Sequence, residues 1–170
     1  MQIKQHKASY YLKYLYYSNS LNTHKTAIYI TNWLKSYVDQ AGLKGFVIGI
    51  SGGIDSALTS TLCALTEKKV VLVSMPIRQT KAEYTRAMNH IEDLTGRFEH
   101  VSAYDIDLTS TFTDFEKKMP FDIAAAHLTM ANARARLRMT TLYAIAQTNA
   151  CLVAGTGNKV EDFGIGFFTK

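Results

Sequence analysis

The first 38 residues contain no aspartate or glutamate, although they contain five lysines, and no arginine occurs before Arg78. Basic and acidic residues are equal in number in the rest of the chain, so these lysines account for the net charge of +5. A basic, tyrosine-rich leader such as residues 1–20 could contact RNA or an anionic substrate. It could equally be a solvated helical extension that packs on a partner subunit, which is the interpretation we favour. Nucleic acid is therefore not an expected partner, and the lack of arginine argues against a mitochondrial presequence.

Cysteines and long apolar runs are also scarce. Cys63 and Cys151 lie in apolar surroundings without metal-ligand spacing, which indicates buried thiols in a reducing compartment. No apolar run approaches the roughly 20 residues that cross a bilayer, and no signal-peptide pattern opens the chain. We expect a cytoplasmic protein without a membrane-spanning segment. Its 170 residues, 47% of them hydrophobic, can bury one substantial core, so residues 21–170 are expected to form a single domain.

Short apolar runs alternate with amphipathic segments along the chain, which predicts an α/β fold. Strands are expected at residues 45–50, at 70–73, between 98 and 104, and at 151–154. Helices are expected at about 23–41, 54–67 and 80–96, as a short helix or loop at 108–118, and from Pro120 and Asp122 to about Thr148. Strands separated by helices imply an open, Rossmann-like parallel sheet with helices on both faces, and we expect the strand order 3-2-1-4.

Local signals mark several of these helix ends. Thr23 is a candidate cap for the first helix, and Gly42 is a candidate stop. Thr80 and Glu83 have the spacing of a capping box, in which each residue bonds the backbone of the other at a helix start.

A glycine-rich turn follows the first predicted strand directly. Residues 49–56 read Gly-Ile-Ser-Gly-Gly-Ile-Asp-Ser, so a strand, a turn and a helix start meet within eight residues. Paired glycines allow the backbone to approach a ligand closely, and a helix start offers unpaired N–H groups to an anion. The run lacks both the Gly-Lys-Ser/Thr ending of a Walker A loop and the Gly-x-Gly-x-x-Gly dinucleotide fingerprint. It predicts a nucleotide pyrophosphate site; the alternative is a Gly-Ser turn in which Asp55 only complements the helix dipole.

The turn after the fourth strand would lie beside this glycine turn if the strand order is 3-2-1-4. The Thr156 hydroxyl would then follow a buried strand at its carboxyl end. Asp55 and Glu161 could hold one Mg²⁺, because this ion binds a few carboxylates together with phosphate oxygens and water. Glu161 could also be a solvated loop acid.

Three arginines alternate along the last predicted helix, at Arg134, Arg136 and Arg138. Residues two apart in a helix point about 200° apart, so the three cannot all meet one ligand. Arg134 and Arg138, four apart, share a face. The guanidinium fork suits phosphate and carboxylate groups, and a solvated basic face is the alternative.

Four separated pieces of the chain, in this order, resemble the ammonia-dependent NAD synthetases. They are residues 44–56, residues 132–139, Gly155-Thr156 with Glu161, and residues 166–170. The first piece alone also resembles the Ser-Gly-Gly-x-Asp-Ser loop of the N-type ATP pyrophosphatases. The resemblance implies an adenine nucleotide alpha hydrolase-like fold and a homodimer. It also implies a carbon–nitrogen ligase that amidates deamido-NAD with ammonia, through an adenylate, to give NAD, AMP and pyrophosphate.

The same resemblance implies roles for individual residues. Tyr37, Arg136 and Lys170 would contact deamido-NAD, although Tyr37 could equally be a core aromatic. Asp55 and Glu161 would bind Mg²⁺. No glutaminase signature and no side-chain nucleophile is evident, so free ammonia or a separate donor is implied. The residues implied in binding ATP are Gly49, Ile50, Ser51, Gly52, Gly53, Ile54, Asp55, Ser56 and Thr156.

The chain departs from the family pattern near its end. Gly157-Asn158-Lys159 stands where many members have an Asp-His pair, and one extra residue separates Glu161 from residues 167–170. The family continues past the position of Lys170 through a Gly-Asp-Gly-Gly stretch, so we expect a truncated synthetase that binds nucleotide but turns over poorly or not at all. The alternatives are another N-type ATP pyrophosphatase, of the GMP synthetase or tRNA thiolation type, and a nucleotide-binding fragment without turnover.

Overall fold

The computed structural model describes residues 21–158 and residue 160. The chain divides into two compact units, Met1–Ile30 and Thr31–Lys170. Residues 21–30 are the described part of the first unit, and they contain the start of the first helix. The predicted leader and the predicted site residues Glu161 and Lys170 lie outside the described residues. No helix within the described ranges is long and apolar enough to cross a membrane.

Helices and strands alternate along the described residues, and the strands form one parallel sheet. The sheet order is β3-β2-β1-β4, so the predicted open parallel sheet and its order are confirmed. The central strand aligns Phe46 with Val70 on one side and with Leu152 on the other. The elements are α1 (Thr23–Gln40), β1 (Gly45–Ile50), α2 (Ile54–Ala64), β2 (Lys69–Ser74), α3 (Lys81–Arg97), β3 (Val101–Asp105), α4 (Thr109–Glu116), α5 (His127–Asn149) and β4 (Leu152–Val153).

Helices cover both faces of the sheet, as predicted. Because successive side chains of a strand point to opposite faces, β1 and β2 each contribute to two cores. One core joins Phe46, Ile48, Val70 and Leu72 to buried residues of α1, α2 and α3. The other joins Val47, Val71 and Val73 to Phe112 of α4 and to Met130 and Ala146 of α5. The central strands are therefore dry on both sides, which explains their continuous apolar sequence.

The capping box of α3 is confirmed. The Thr80 side chain accepts a hydrogen bond from the Glu83 N–H at 3.3 Å, and the Glu83 carboxylate accepts one from the Thr80 N–H at 3.2 Å. These bonds satisfy backbone donors at the helix start.

The two ends of α1 are capped in different ways. The Asn22 Oδ1 accepts a hydrogen bond from the Lys25 N–H at 3.0 Å, so Asn22 is the cap and the prediction of Thr23 was wrong. Gly42 terminates the helix as predicted, with a φ of +65°. Its N–H and that of Leu43 bond back to carbonyls of the last helical turn.

The start of α5 was also predicted wrongly. The helix begins at His127, several residues after Pro120 and Asp122. The Asp122 carboxylate instead accepts a hydrogen bond from the Ala124 N–H at 2.9 Å and stabilises a turn before the helix.

Candidate nucleotide-binding site

The glycine turn joins the carboxyl end of β1 to the first residue of α2, and two serines determine its shape. The Ser56 hydroxyl donates to the Gly53 carbonyl oxygen at 2.9 Å and accepts from the Ser51 N–H at 3.3 Å. The Ser51 Oγ lies 3.1 Å from the Ser56 Oγ and accepts from the Gly53 N–H at 3.2 Å. The N-cap is Gly53, which has no side chain to bond the first helical turn. The N–H groups at the start of α2 are therefore suited to an anion.

Two side chains that follow β2, one before α3 and one in α3, donate hydrogen bonds to carbonyl oxygens of the glycine turn. Gln79 Nε2 donates to the Ser51 carbonyl oxygen at 3.0 Å, and Arg86 Nε donates to the Gly52 carbonyl oxygen at 3.1 Å. Gly52 has a φ of +82°, and a Cβ at this position would overlap the Glu83 carbonyl oxygen of α3. Only glycine fits a turn with this conformation and this close a neighbour.

The turn after β4 lies beside the glycine turn, as expected from the strand order. Asn158 Nδ2 donates a hydrogen bond to Asp55 Oδ2 at 3.3 Å, which joins residues more than a hundred positions apart. Thr156 lines the same cavity as Gly49 and Ser51. The two turns therefore form one site at the carboxyl edge of the sheet.

The cavity between these turns has a volume of about 360 Å³, within the usual range of small-molecule sites. Its floor is the end of β1, and its walls come from the segment after β2, from one face of α5 and from the turn after β4. Its lining residues are Gly49, Ile50, Ser51, Met75, Gln79, Ala135, Arg138, Met139, Leu142 and Thr156.

Arg138 is the one cationic side chain among the described lining residues of this cavity. Its Nε donates to the Met75 carbonyl oxygen at 3.0 Å, which fixes the side chain across the end of β2. Burial lowers the pKa of the Arg138 guanidinium from its usual value, and the charge of Arg134 adds to the effect. A partly desolvated guanidinium interacts strongly with a phosphate or carboxylate group. Arg134 serves another purpose on the same helix face, since it packs over the Phe112 ring at 5.6 Å.

The other predicted site residues lie apart from this cavity or outside the described residues. Arg136 is exposed on α5, and its Nη1 donates to the Asn132 carbonyl oxygen at 3.4 Å. Tyr37 on α1 is 51% exposed and stacks on Trp33 with ring centroids 5.3 Å apart. Neither side chain lines the cavity. Their assignment to deamido-NAD remains a prediction, as does that of Lys170.

Asp55 has the chemistry of a magnesium ligand. Its carboxylate is half-buried in the first turn of α2, beside the proposed phosphate site. Hard carboxylate oxygens together with nucleotide phosphate oxygens and water suit Mg²⁺. Among residues 21–158 and 160, no cluster of three or more His, Cys, Asp or Glu residues could hold a metal alone.

Sequence reasoning did not assign several residues of the site, among them Met75, Gln79, Arg86 and Asn158. Met75 and Gln79 follow the carboxyl end of β2, and Asn158 follows that of β4, so their positions after strands were an available signal. Arg86 lies in the middle of α3 without any motif. Its contact depends on how α3 packs against the glycine turn.

The fold and the site together define a class: an α/β protein of the nucleotide-binding type, in which a glycine turn follows the central strand at the switch point of a parallel sheet. The chain belongs to the NAD synthase family, whose model matches residues 26–170.

Individual relatives agree with this family. The chain is 42% identical over 144 residues to the NH(3)-dependent NAD(+) synthetase of Mesoplasma florum, an alignment that covers 84% of this chain and 57% of the relative. The NMN synthetase of Francisella tularensis has a TM-score of 0.79 at 31% identity, covering 89% of this chain and 60% of that structure. The NH3-dependent NAD synthetase of Campylobacter jejuni has a TM-score of 0.77 at 30% identity, covering 88% and 62%. The chain thus spans a little over half the length of the curated relatives that it matches.

Proposed function

We propose that this chain carries the ATP site and part of the second-substrate site of an ammonia-dependent NAD synthetase. The reaction joins ammonia to the nicotinate carboxylate of deamido-NAD and converts ATP to AMP and pyrophosphate. The observation that carries the proposal is the meeting of two turns, joined by the hydrogen bond from Asn158 to Asp55, beside a cavity lined by Ser51 and Thr156 in a chain of the NAD synthase family.

ATP would bind across the glycine turn, residues 49–56, and Thr156. Its phosphates would accept hydrogen bonds from the N–H groups at the start of α2, because the helix dipole and the unpaired donors both favour negative charge there. The nucleoside part would occupy the 360 Å³ cavity, whose apolar wall includes Met75 and Leu142. Arg138 would add a positive charge to this compartment.

Magnesium would be held by Asp55 and Glu161 together with phosphate oxygens of ATP. Such an ion supplies charge neutralisation at the phosphates and orients them for displacement. Asp55 is well placed for this because it lies in the first turn of the helix on which the phosphates would rest.

Deamido-NAD would contact Tyr37, Arg136 and Lys170. The exposed positions of Tyr37 and Arg136 support a substrate that approaches from the surface, since an aromatic ring can stack on a base and a guanidinium can pair with phosphate. We propose a homodimer in the cytoplasm as the working form.

The chemistry needs positioning and charge more than a side-chain nucleophile. The nicotinate carboxylate attacks the α-phosphorus of ATP, the bond to the bridging oxygen breaks, and pyrophosphate leaves. Ammonia then attacks the carbonyl carbon of the adenylate, loses a proton and expels AMP. The N–H groups of the turn and the guanidinium of Arg138 would stabilise the negative charge that develops on the phosphate oxygens.

A second candidate is the synthesis of NMN, favoured by the similarity to the Francisella tularensis NMN synthetase. The acceptor would then be the acid form of a mononucleotide, which lacks the adenylate half of deamido-NAD. Membership of the NAD synthase family argues against the GMP synthetase and tRNA thiolation types considered above.

The test titrates ATP into the chain by calorimetry with Mg²⁺ present, and then titrates deamido-NAD or the acid form of NMN with a non-hydrolysable ATP analogue bound. An assay for AMP, NAD and NMN with ammonia follows. Asp55→Asn should abolish magnesium-dependent ATP binding, whereas the exposed Glu99→Gln, at the opposite edge of the sheet before β3, should not change it.

Each outcome decides one part of the proposal. Selective binding of deamido-NAD supports an NAD synthetase, and preference for the mononucleotide acid supports the second candidate. Binding without AMP formation supports a nucleotide-binding fragment without turnover. Failure to bind ATP would contradict the assignment of the glycine turn.

A further inference from the structure

Two peptide groups of the glycine turn are fixed through their carbonyl oxygens. Gln79 donates to the Ser51 oxygen, and Arg86 donates to the Gly52 oxygen. In a planar trans peptide the C=O and the following N–H point in opposite directions. The bond from Arg86 to the Gly52 oxygen therefore aims the Gly53 N–H at the other side of the turn, where it meets the Ser51 hydroxyl.

Arg86 contacts that peptide from outside the 360 Å³ cavity, on the side where Gly53, Ile54 and Ser56 line a second cavity. It does not line the 360 Å³ cavity, whereas Gln79 does. It lines a neighbouring cavity of about 330 Å³ between α2 and α3, together with Gly52, Gly53 and His90. Its Nε contacts the turn from the face of α3 whose Glu83 backbone also lies closest to Gly52.

We propose that Arg86 is a positioning residue for the pyrophosphate part of ATP: its hydrogen bond to the Gly52 oxygen fixes the Gly52–Gly53 peptide, whose N–H bonds the Ser51 hydroxyl, and so fixes the shape of the turn on which the phosphates would rest. The inference rests on the proposed function, because it assumes that ATP binds across the glycine turn. It assigns selectivity for the β and γ phosphates to a residue of α3 that no phosphate-loop motif contains. AMP, which lacks these two phosphates, should not depend on Arg86.

Three substitutions separate the hydrogen bond from the charge. Glutamine carries its Nε2 on the Cδ, as arginine carries its Nε, so Arg86→Gln retains a donor at the same position and loses the charge. Arg86→Lys retains the charge but has carbon at that position, and Arg86→Met has neither. Lys81→Met, an exposed change in the same helix, controls for the loss of one positive charge.

The experiment measures the dissociation constants of ATP, pyrophosphate and AMP by calorimetry for the unmodified chain and the four variants, with thermal melting to verify folding. Arg86→Met and Arg86→Lys should weaken ATP and pyrophosphate binding by about tenfold, the effect of one charge-assisted hydrogen bond, and change AMP binding less than about twofold. Arg86→Gln should recover most of the loss, and Lys81→Met should bind like the unmodified chain.

Other results would overturn the inference. If Arg86→Lys binds normally and Arg86→Gln does not, charge rather than positioning is the cause. An equal loss for AMP in Arg86→Met, or an equal loss in Lys81→Met, would show a general effect on the site or on net charge. If the unmodified chain binds ATP and the Arg86 variants match it, the inference fails alone. If the unmodified chain binds no ATP, the proposed function fails as well.

Discussion

Replacing Gly52 by alanine tests how tightly the glycine turn is confined. A side chain at a positive φ such as +82° costs about 1–2 kcal/mol in backbone strain. The added Cβ would also overlap the Glu83 carbonyl oxygen and lie 3.2 Å from its carbonyl carbon. Overpacking against helix backbone, which cannot rotate away, adds about 1–3 kcal/mol. We expect Gly52→Ala to lower the free energy of unfolding by about 3 kcal/mol, as the sum of these two effects.

Two other glycines provide matched controls. Gly42 has a φ of +65° and no atom within 4 Å of its added Cβ, so Gly42→Ala should cost only the strain, about 1 kcal/mol. Gly96 lies in α3 with equally open space and no positive φ, so Gly96→Ala should stabilise the protein by about 0.5 kcal/mol. Because Gly42 lies at the opposite edge of the sheet, its variant should retain ATP binding while Gly52→Ala loses it.

The assay is urea unfolding followed by far-ultraviolet circular dichroism, with the slopes compared to verify that the same surface is exposed. The reasoning depends on the difference between the variants at Gly52 and Gly42, which should be about 2 kcal/mol. If the two variants lose equal stability, the backbone of α3 does not limit the space at Gly52, and the expected overlap with the Glu83 carbonyl is wrong.

Three further predictions concern residues outside the nucleotide cavity. Arg78 binds the buried carboxylate of Glu116 through both terminal nitrogens. Arg78→Met should lower the free energy of unfolding by about 2 kcal/mol, because it leaves this carboxylate buried without its partner. A double variant that also carries Glu116→Leu should recover most of the loss in the same assay. Burial holds the pKa of His90 below 6.5, so the unfolded state binds the proton more readily and stability falls as pH drops below about 6.5. Melting curves of His90→Gln across this pH range should show a weaker decline. Burial raises the pKa of the Cys63 thiol to about 12, so iodoacetamide at pH 8 should label it only as fast as the chain unfolds, and rapid labelling without urea would contradict this burial.

Several parts of the fold that the sequence predicted depend on local chemistry. The glycine turn and the capping box at Thr80 appear where short-range spacing placed them, because each is formed by residues within a few positions of one another. The start of α5 was predicted wrongly because local chemistry does not determine it. Asp122 can bond the backbone of a turn as well as that of a helix, and only the packing of the following residues decides between them.

The candidate site was predictable as far as strand order determines it. The contact between the glycine turn and the turn after β4, seen at Asp55 and Asn158, follows once β1 and β4 are adjacent, because both turns then reach the same edge of the sheet. The contacts of Gln79 and Arg86 with the turn could not be predicted, because they depend on where α3 and the segment before it pack along the sheet. No local sequence signal reports that position.

The arginines of α5 show how helix geometry limits what a family resemblance can imply. Arg136 and Arg138 point about 200° apart, so the helix cannot present both to one ligand. The structure has Arg138 in the cavity, bonded to Met75, and Arg136 on the exposed surface. Any ligand of Arg136 therefore approaches α5 from outside that cavity.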